Sequence, residues 1–263
     1  MITSVANNRV KKVAALNQKA KERRQEKLYV VEGTKMFLEA PEDEIVDIYV
    51  SEGFSSQNCE EKLSRLKYET VTEEVFRKMS DTMSPQGILC VLRMKEYRLE
   101  EMLEKKKNPV LMVLEDIQDP GNLGTILRTG EGAGIDGVIL SRESADIYNP
   151  KTIRSTMGSI YRVPFVYVSA ITETIEKLKE NGIRVYAAHL AGKKWYDESD
   201  YTGGSAFMIG NEGNGLKEET AKLADIYIKI PMEGKVESLN AAMASGILMY
   251  EASRQRRNGQ SGG

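Results

Sequence analysis

Short apolar runs and helical stretches alternate along the chain from Pro109 to Arg254, and this alternation leaves few folds open. The apolar runs lie at 109–114, 137–140, 163–168, 183–189, 205–209 and 226–230. Helical periodicity separates them at 122–133, 150–157, 170–181, 216–223 and 238–254. Parallel strands need a long crossover, and a helix is the usual one. The pattern predicts a mostly parallel sheet with helices on both faces.

Three of the strand-to-helix connections carry unusual polar and glycine-rich sequence. The first is Asp119-Pro120-Gly121-Asn122-Leu123-Gly124, followed by Arg128-Thr129 on the helix that leaves it. Pro120 and Gly121 suit a turn, and Asn122 is a candidate N-cap. Arg128 falls about two turns into that helix, where a long guanidinium is a poor core residue. The second connection is Ile209-Gly210-Asn211-Glu212-Gly213-Asn214-Gly215-Leu216, and the third runs from Ile230-Pro231-Met232 to Ser238-Leu239-Asn240. Three such loops in one domain suggest one site built from loop ends.

Upstream, residues 3–27 read as one amphipathic helix with Val10, Val13, Leu16 and Ala20 on one face. Strands follow at 28–31, 45–50 and 87–92, with helices at 34–40, 59–66 and 73–80. This gives a small α/β domain over 1–94, a charged linker over 95–108 in which Leu99, Met102 and Leu103 offer docking positions, and a larger domain over 109–257. Residues 258–263 read as a disordered tail.

Composition narrows the chemistry. The 263 residues hold two cysteines, Cys59 and Cys90, and one histidine, His189. That is neither a metal pattern nor a disulfide framework, so no metal and a reducing, cytoplasmic setting are expected. No apolar run is long enough to span a bilayer, and Met1-Ile2-Thr3-Ser4 lacks the apolar core of a signal peptide. Net charge is −2, yet Arg9 to Lys27 holds eight Lys/Arg against two Glu, and Arg254, Arg256 and Arg257 end the chain. Basic ends on a near-neutral chain suit phosphate contacts; a solvated helix face and a frayed end account for them equally well.

One motif misleads. Gly132-Ala133-Gly134-Ile135-Asp136-Gly137 fits the dinucleotide fingerprint, but that fingerprint needs a strand before it and a helix after it. Here a helix ends and a strand begins. The glycines read instead as a left-handed helix C-cap and a tight turn, and an oxidoreductase is disfavoured.

Together, and in this order, the three loop segments resemble the motifs of the SpoU (TrmH) family of RNA 2′-O-ribose methyltransferases, in the SPOUT superfamily. The resemblance covers roughly 109–255. The basic lead helix and Val31-Glu32-Gly33 resemble the L30e-like substrate-binding domain found in that family. It implies an L30e-like α/β domain followed by a SPOUT α/β domain with a deep trefoil knot, a feature nearly absent from proteins at large. It further implies S-adenosylmethionine bound in the knot, a homodimer with each active site near the subunit interface, and an RNA substrate.

Matched position by position, the resemblance assigns cofactor contact to Leu190, Gly210, Gly213, Gly215, Ile230 and Leu239. It assigns the reaction to Arg128, Asn122, Glu212, Ser238 and Asn240. A guanidinium is effectively always protonated, so Arg128 suits a phosphate clamp that also lowers the 2′-hydroxyl pKa. Asn122 would position the loop or the ribose, and Glu212 would orient Arg128 or the substrate. Ser238 and Asn240 would cap the last helix or reach the substrate. Asn211 falls where family members vary, and Glu237 adds negative charge beside an RNA path. The resemblance favours 23S ribosomal RNA as substrate. Transfer RNA and a non-catalytic RNA-binding or ribosome-assembly role on the same fold are the alternatives.

Overall fold

The protein is described here from a computed structural model over residues 1–260. By its internal contacts the chain forms two compact units, one of Met1–Lys95 with Asp146–Tyr161 and one of Glu96–Ala145 with the segment from Arg162 onward.

The first unit opens on α1 (Asn8–Gln18) and α2 (Ala20–Glu26). The single helix expected over 3–27 is therefore broken, with Lys19 extended at φ −126° and ψ 113°. The break follows from Arg23, which is buried and donates from Nη1 to the carbonyls of Leu16 (2.7 Å) and Asn17 (3.1 Å). Those carbonyls receive from a side chain what a continuing helix would have given them. Next come β1 (Leu28–Glu32), α3 (Thr34–Glu39), β2 (Ile45–Ser51), α4 (Gln57–Arg65), β3 (Glu69–Val71), α5 (Glu73–Met79) and β4 (Ile88–Arg93). The sheet order is β1-β4-β2-β3, antiparallel except for β2 with β3. Val10, Val13 and Leu16 of α1 pack with Val75 and Phe76 of α5 and with Val30, Tyr49, Leu89 and Val91 of the sheet.

Much of the basic lead segment is engaged within this unit. Arg9 pairs with Asp47 and Glu69, Lys12 with Glu26, and Arg23 with Asp146. Arg23 donates from Nε and Nη2 to Asp146 Oδ2 at 3.1 and 2.6 Å, and the Tyr161 hydroxyl donates to the Met36 carbonyl at 3.0 Å.

The second unit holds α6 (Leu99–Glu104), β5 (Val110–Leu114), α7 (Pro120–Ala133) and β6 (Gly137–Ser141). The next helix in chain order, α8 (Pro150–Thr156), is the first unit's. Then follow β7 (Phe165–Val168), α9 (Ile171–Glu180), β8 (Arg184–Ala188), β9 (Lys194–Trp195), β10 (Ser205–Ile209), α10 (Glu218–Ala221), β11 (Ile226–Lys229) and α11 (Ala241–Gln260). The seven strands run in the order β7-β6-β5-β10-β8-β11-β9, and every pairing is parallel. All six expected strands are present; β9, only two residues long, joins the edge.

Both faces of this sheet are covered, as the near-continuous apolar strands require. Leu111 and Val113 pack with Leu99 and Met102 of α6, Ile175 and Leu178 of α9, and Ala221 of α10. Side chains alternate along a strand, so Met112 and Leu114 face the other way, where α7 and α11 lie against each other and α11 reaches β5 and β10. Gly134 ends α7 at φ 78° and donates its N–H to Glu131 O, while Ile135 N–H reaches back to Gly130 O. The glycine-rich stretch is thus a left-handed C-cap leading into β6, as its order of elements indicates. The last helix begins at Ala241 rather than 238 and continues through Gln260, past the 258 at which a tail was expected; residues 261–263 lie outside the described residues. Arg254 pairs with Glu251, and Arg256 donates to the carbonyls of Asn108, Tyr201 and Gly203.

Candidate active site

Parallel order puts the C-terminal ends of β5, β10, β8 and β11 side by side along one edge of the sheet, with neighbouring strands about 5 Å apart. From those ends leave the segments that carry Asp119 to Asn122, Gly210 to Gly215, Leu190, and Ile230 to Asn240. In open α/β sheets ligands bind outside the carboxyl ends of the strands. Sites distant in sequence therefore converge because of strand order.

Hydrogen bonds join the first, second and third loops directly. The Glu212 carboxylate accepts from the N–H of Gln118 (3.0 Å), the N–H of Asp119 (3.1 Å) and Asn122 Nδ2 (3.0 Å). Asn240 Nδ2 donates to Asn122 Oδ1 at 2.9 Å. The Asn240 Oδ1 accepts from the N–H of Ala242 (2.9 Å) and Met243 (3.3 Å), so Asn240 caps α11. Burial would raise the Glu212 pKa, but the bonds from Asn122, Gln118 and Asp119 outweigh it and hold the carboxyl below the usual glutamate range. The charge stays on the carboxylate, which suits three donors.

Asp119, not Asn122, is the N-cap of α7. Its carboxylate accepts from Asn122 N–H at 2.8 Å, and Pro120 occupies the first helical turn. An acidic residue directly before a proline at the helix start is the stronger cap signal, and the sequence carried it. Asn122 is the third residue of the helix, which frees its side chain to bridge Glu212 and Asn240.

The end of β5 is braced further by residues that the motif reading passed over. The buried Glu115 accepts from Lys217 N–H (2.8 Å) and Thr220 Oγ1 (2.6 Å), capping α10 from outside. Asp116, left-handed at φ 56°, accepts from Ser141 Oγ (2.7 Å) and pairs with Lys217 (2.7 Å). The Asp116 carbonyl accepts from Asn211 Nδ2 at 2.9 Å. Charged residues directly after a buried apolar run were the available sign of this bracing.

Gly210 is required by a close approach. A Cβ there would lie 2.0 Å from the Gly215 carbonyl carbon and 2.1 Å from Leu216 N. The loop folds back on itself across that point, with Asn211 and Gly215 exchanging N–H···O bonds of 3.0 and 2.8 Å. Gly213 and Gly215 lie in the same reversal. Leu190 is exposed just beyond β8, Ile230 is half-buried just beyond β11, and Leu239 is exposed beside the Asn240 cap. These three give apolar surface at adjacent strand ends.

Arg128 and Ser238 stand apart from the network. Among the described residues neither side chain has a hydrogen-bond or ion-pair partner, and both residues are exposed. Glu212 spends its oxygens on the 118–122 segment and makes no bond to Arg128. Arg128 lies on the exposed stripe of α7 with Thr125 and Gly132, about 9 Å along the axis from Asn122 by helical rise. Among the described residues, no group of three or more His, Cys, Asp or Glu is placed to hold a metal ion, and no helix is long and apolar enough to cross a membrane.

Comparison with known proteins covers both units. Residues 109–250 match the SpoU rRNA Methylase family, and residues 7–90 match the MRM3-like substrate binding domain. A 23S rRNA (guanosine(2553)-2′-O)-methyltransferase, RlmP, from Bacillus subtilis (strain 168) is 32% identical over 251 residues, covering 95% of this chain and 97% of that one. Among solved structures, the SpoU methyltransferase AviRb from Streptomyces viridochromogenes in complex with the cofactor AdoMet has a TM-score of 0.84 at 25% identity, covering 95% of this chain and 98% of that one. An AdoMet-bound rRNA methyltransferase from Sinorhizobium meliloti has a TM-score of 0.82 at 29% identity, covering 96% and 97%.

Proposed function

The chain belongs to the SpoU rRNA Methylase family, and from that premise we propose that it transfers a methyl group from S-adenosylmethionine to a ribose 2′-hydroxyl of 23S ribosomal RNA. The observation that carries the reading is the Glu212–Asn122–Asn240 chain of side-chain bonds, which ties the three motif loops into one site at the reactive edge of the sheet. Similarity over nearly the full length to a 23S rRNA enzyme supports ribosomal over transfer RNA.

The residues present fit the cofactor. Leu190, Ile230 and Leu239 offer apolar surface to an adenosine, and the Gly210–Gly215 reversal leaves the carbonyls of Glu212, Gly213 and Asn214 unbonded among the described residues. S-adenosylmethionine supplies, when bound, an electrophilic methyl on a cationic sulfur. The protein's part is to hold the ribose oxygen in line with it and to make that oxygen a better nucleophile. Arg128 provides a fixed positive charge that clamps a phosphate and lowers the pKa of the 2′-hydroxyl. Asn122, held at both ends of its amide, keeps the first turn of α7 in place. The unbonded Ser238 hydroxyl is available to the substrate.

The enzyme acts as a homodimer in this reading, alongside its RNA in the cytoplasm. The exposed stripe of α7 carries Thr125, Arg128 and Gly132, and α11 exposes Met243 and Tyr250. The stripes adjoin, since a Cβ on Gly132 would meet the Tyr250 hydroxyl at 3.1 Å. A second copy docked there brings Arg128 to the subunit interface.

Incubation with labelled S-adenosylmethionine and protein-free 23S rRNA, immature subunits or tRNA tests the proposal. Label on a single 2′-oxygen of 23S rRNA is expected. Label on tRNA alone, on a base, or nowhere overturns it.

A further inference from the structure

Beyond β10 the reversal over Asn211–Gly215 has its amides turned to its own atoms. Asn211 and Gly215 exchange backbone bonds. The N–H groups of Gly213 and Asn214 both donate to Asn211 Oδ1, at 3.0 and 3.1 Å. One side chain, that of Asn211, therefore organises the loop: its oxygen gathers two amides while its Nδ2 is anchored on the Asp116 carbonyl at 2.9 Å.

The anchor is itself held. Asp116 adopts a left-handed backbone rare for residues with a side chain (φ 56°). Its carboxylate is fixed between Ser141 Oγ and Lys217 Nζ, each at 2.7 Å, and its carbonyl also accepts from Gln118 Nε2 at 3.1 Å. Lys217 closes the loop at its far end, so Asp116 grips both sides of the reversal. Glu212, at the centre, then reaches the 118–122 segment.

This arrangement has a chemical consequence. With the N–H groups of Asn211, Gly213, Asn214 and Gly215 used internally, the backbone of the loop offers mainly carbonyl oxygens to a ligand. Such a surface binds groups that donate hydrogen bonds or carry positive charge, such as ribose hydroxyls and an ammonium, and it rejects anions. We propose that Asn211, braced by Asp116, is a positioning residue for the methyl transfer: it holds the reversal in a form that presents acceptors to the methyl donor. The proposal rests on the reading of the preceding subsection.

The test compares Asn211→Ala, Asn211→Asp and the wild type for S-adenosylmethionine affinity by calorimetry, and for kcat and both KM values. Asn211→Ala is expected to raise the Kd and KM for S-adenosylmethionine at least tenfold, with the KM for RNA unchanged. Asn211→Asp keeps the acceptor for two amides and loses the bond to Asp116, so it is expected to recover part of the loss. A purely structural role would lower thermal stability without separating the two KM values. Should Asn211→Ala fail to fold, amide hydrogen exchange on the wild type decides: Gly213 and Asn214 are expected to be protected, and exchange at unprotected rates overturns the proposal. An active wild type with an unchanged Asn211→Ala KM for the donor refutes this inference alone. A wild type that neither binds the donor nor methylates RNA refutes the reading beneath it, and the inference falls too.

Discussion

Asn240 Nδ2 donates to Asn122 Oδ1 at 2.9 Å across 118 residues of sequence. The bond joins the cap of α11 to the first turn of α7. Asn122 passes the connection on to Glu212 through its own Nδ2. The helix starts and the loop after β10 are thus set relative to one another through one amide.

Replacing that amide tests how much the register matters. Asn122→Ala removes both bonds and leaves Glu212 with two backbone donors. Loss of a hydrogen bond to a charged group costs about 1.5–3 kcal/mol. If the loss is felt at the reacting geometry, kcat should fall roughly ten- to a hundredfold. Steady-state kinetics at saturating donor and RNA measures it, and a kcat within twofold of wild type would remove Asn122 from the mechanism.

Glu212 gives the network a pH signature. Burial pushes its pKa up, the three donors push it down, and the donors win. A folded-state pKa below the unfolded value of about 4.3 makes stability from this group fully present above that value. The stability is lost as pH falls through the folded-state pKa. The difference in unfolding free energy between wild type and Glu212→Gln should therefore be constant from neutral pH down to about 5 and shrink below about 4. Denaturant titrations across that range check it; a gap that widens on acidification contradicts the sign.

Arg128 is the opposite case, a cation with no partner in the fold among the described residues. Substitutions at exposed sites without such ties usually change stability by no more than about 0.5 kcal/mol. Arg128→Ala should leave Tm and donor binding near wild type and abolish methyl transfer. Normal turnover would exclude it from the reaction.

The strands of the larger unit were legible in sequence because each is an apolar run between turn residues, and the Gly134 cap was legible from the order of its elements. The bonds of the site were not. Glu212 meets Asn122 because β5 and β10 are neighbours in the sheet, and spacing along the chain carries no record of which strands pair. The break at Lys19 was hidden for a similar reason. It depends on Arg23, whose carboxylate partner Asp146 lies 123 residues away. The motif residues themselves were legible through resemblance, while the bonds by which Asp116 and Asn211 brace them emerged only from the geometry.

That remote partner bears on truncation. Asp146–Tyr161 belongs to the first unit, where Tyr148 packs on Tyr29 with ring centroids 4.6 Å apart and Arg154 pairs with Asp81. Deleting residues 1–95 removes those partners and strands Ile147, Ile153, Ile160 and Tyr161, all buried in the intact chain. Each loses roughly 1.5–3 kcal/mol of burial if it becomes fully exposed. The truncated protein should bind a hydrophobic dye and aggregate on mild heating. A deletion with Ile153→Lys and Ile160→Lys should be more soluble than the deletion alone. Equal solubility and no dye binding would show that this segment is packed independently of the first 95 residues.

The exposed stripes on α7 and α11 make the dimer a separate question from the chemistry. Met243 is 61% exposed and Tyr250 50%, and seven residues apart they share one face of α11. A stable interface removes about 1,200–2,000 Å² from solvent and draws its energy from a few central apolar or aromatic residues. A charge placed there must be desolvated without a partner. Met243→Asp should therefore convert a dimer to a monomer in analytical ultracentrifugation while leaving the fold intact, because the side chain is mostly exposed within its own chain. Methyl transfer should fall with the dimer fraction if Arg128 acts at the subunit interface. A fully active monomer would confine the working site to a single chain, and a dimer unaffected by Met243→Asp would place the interface on another face.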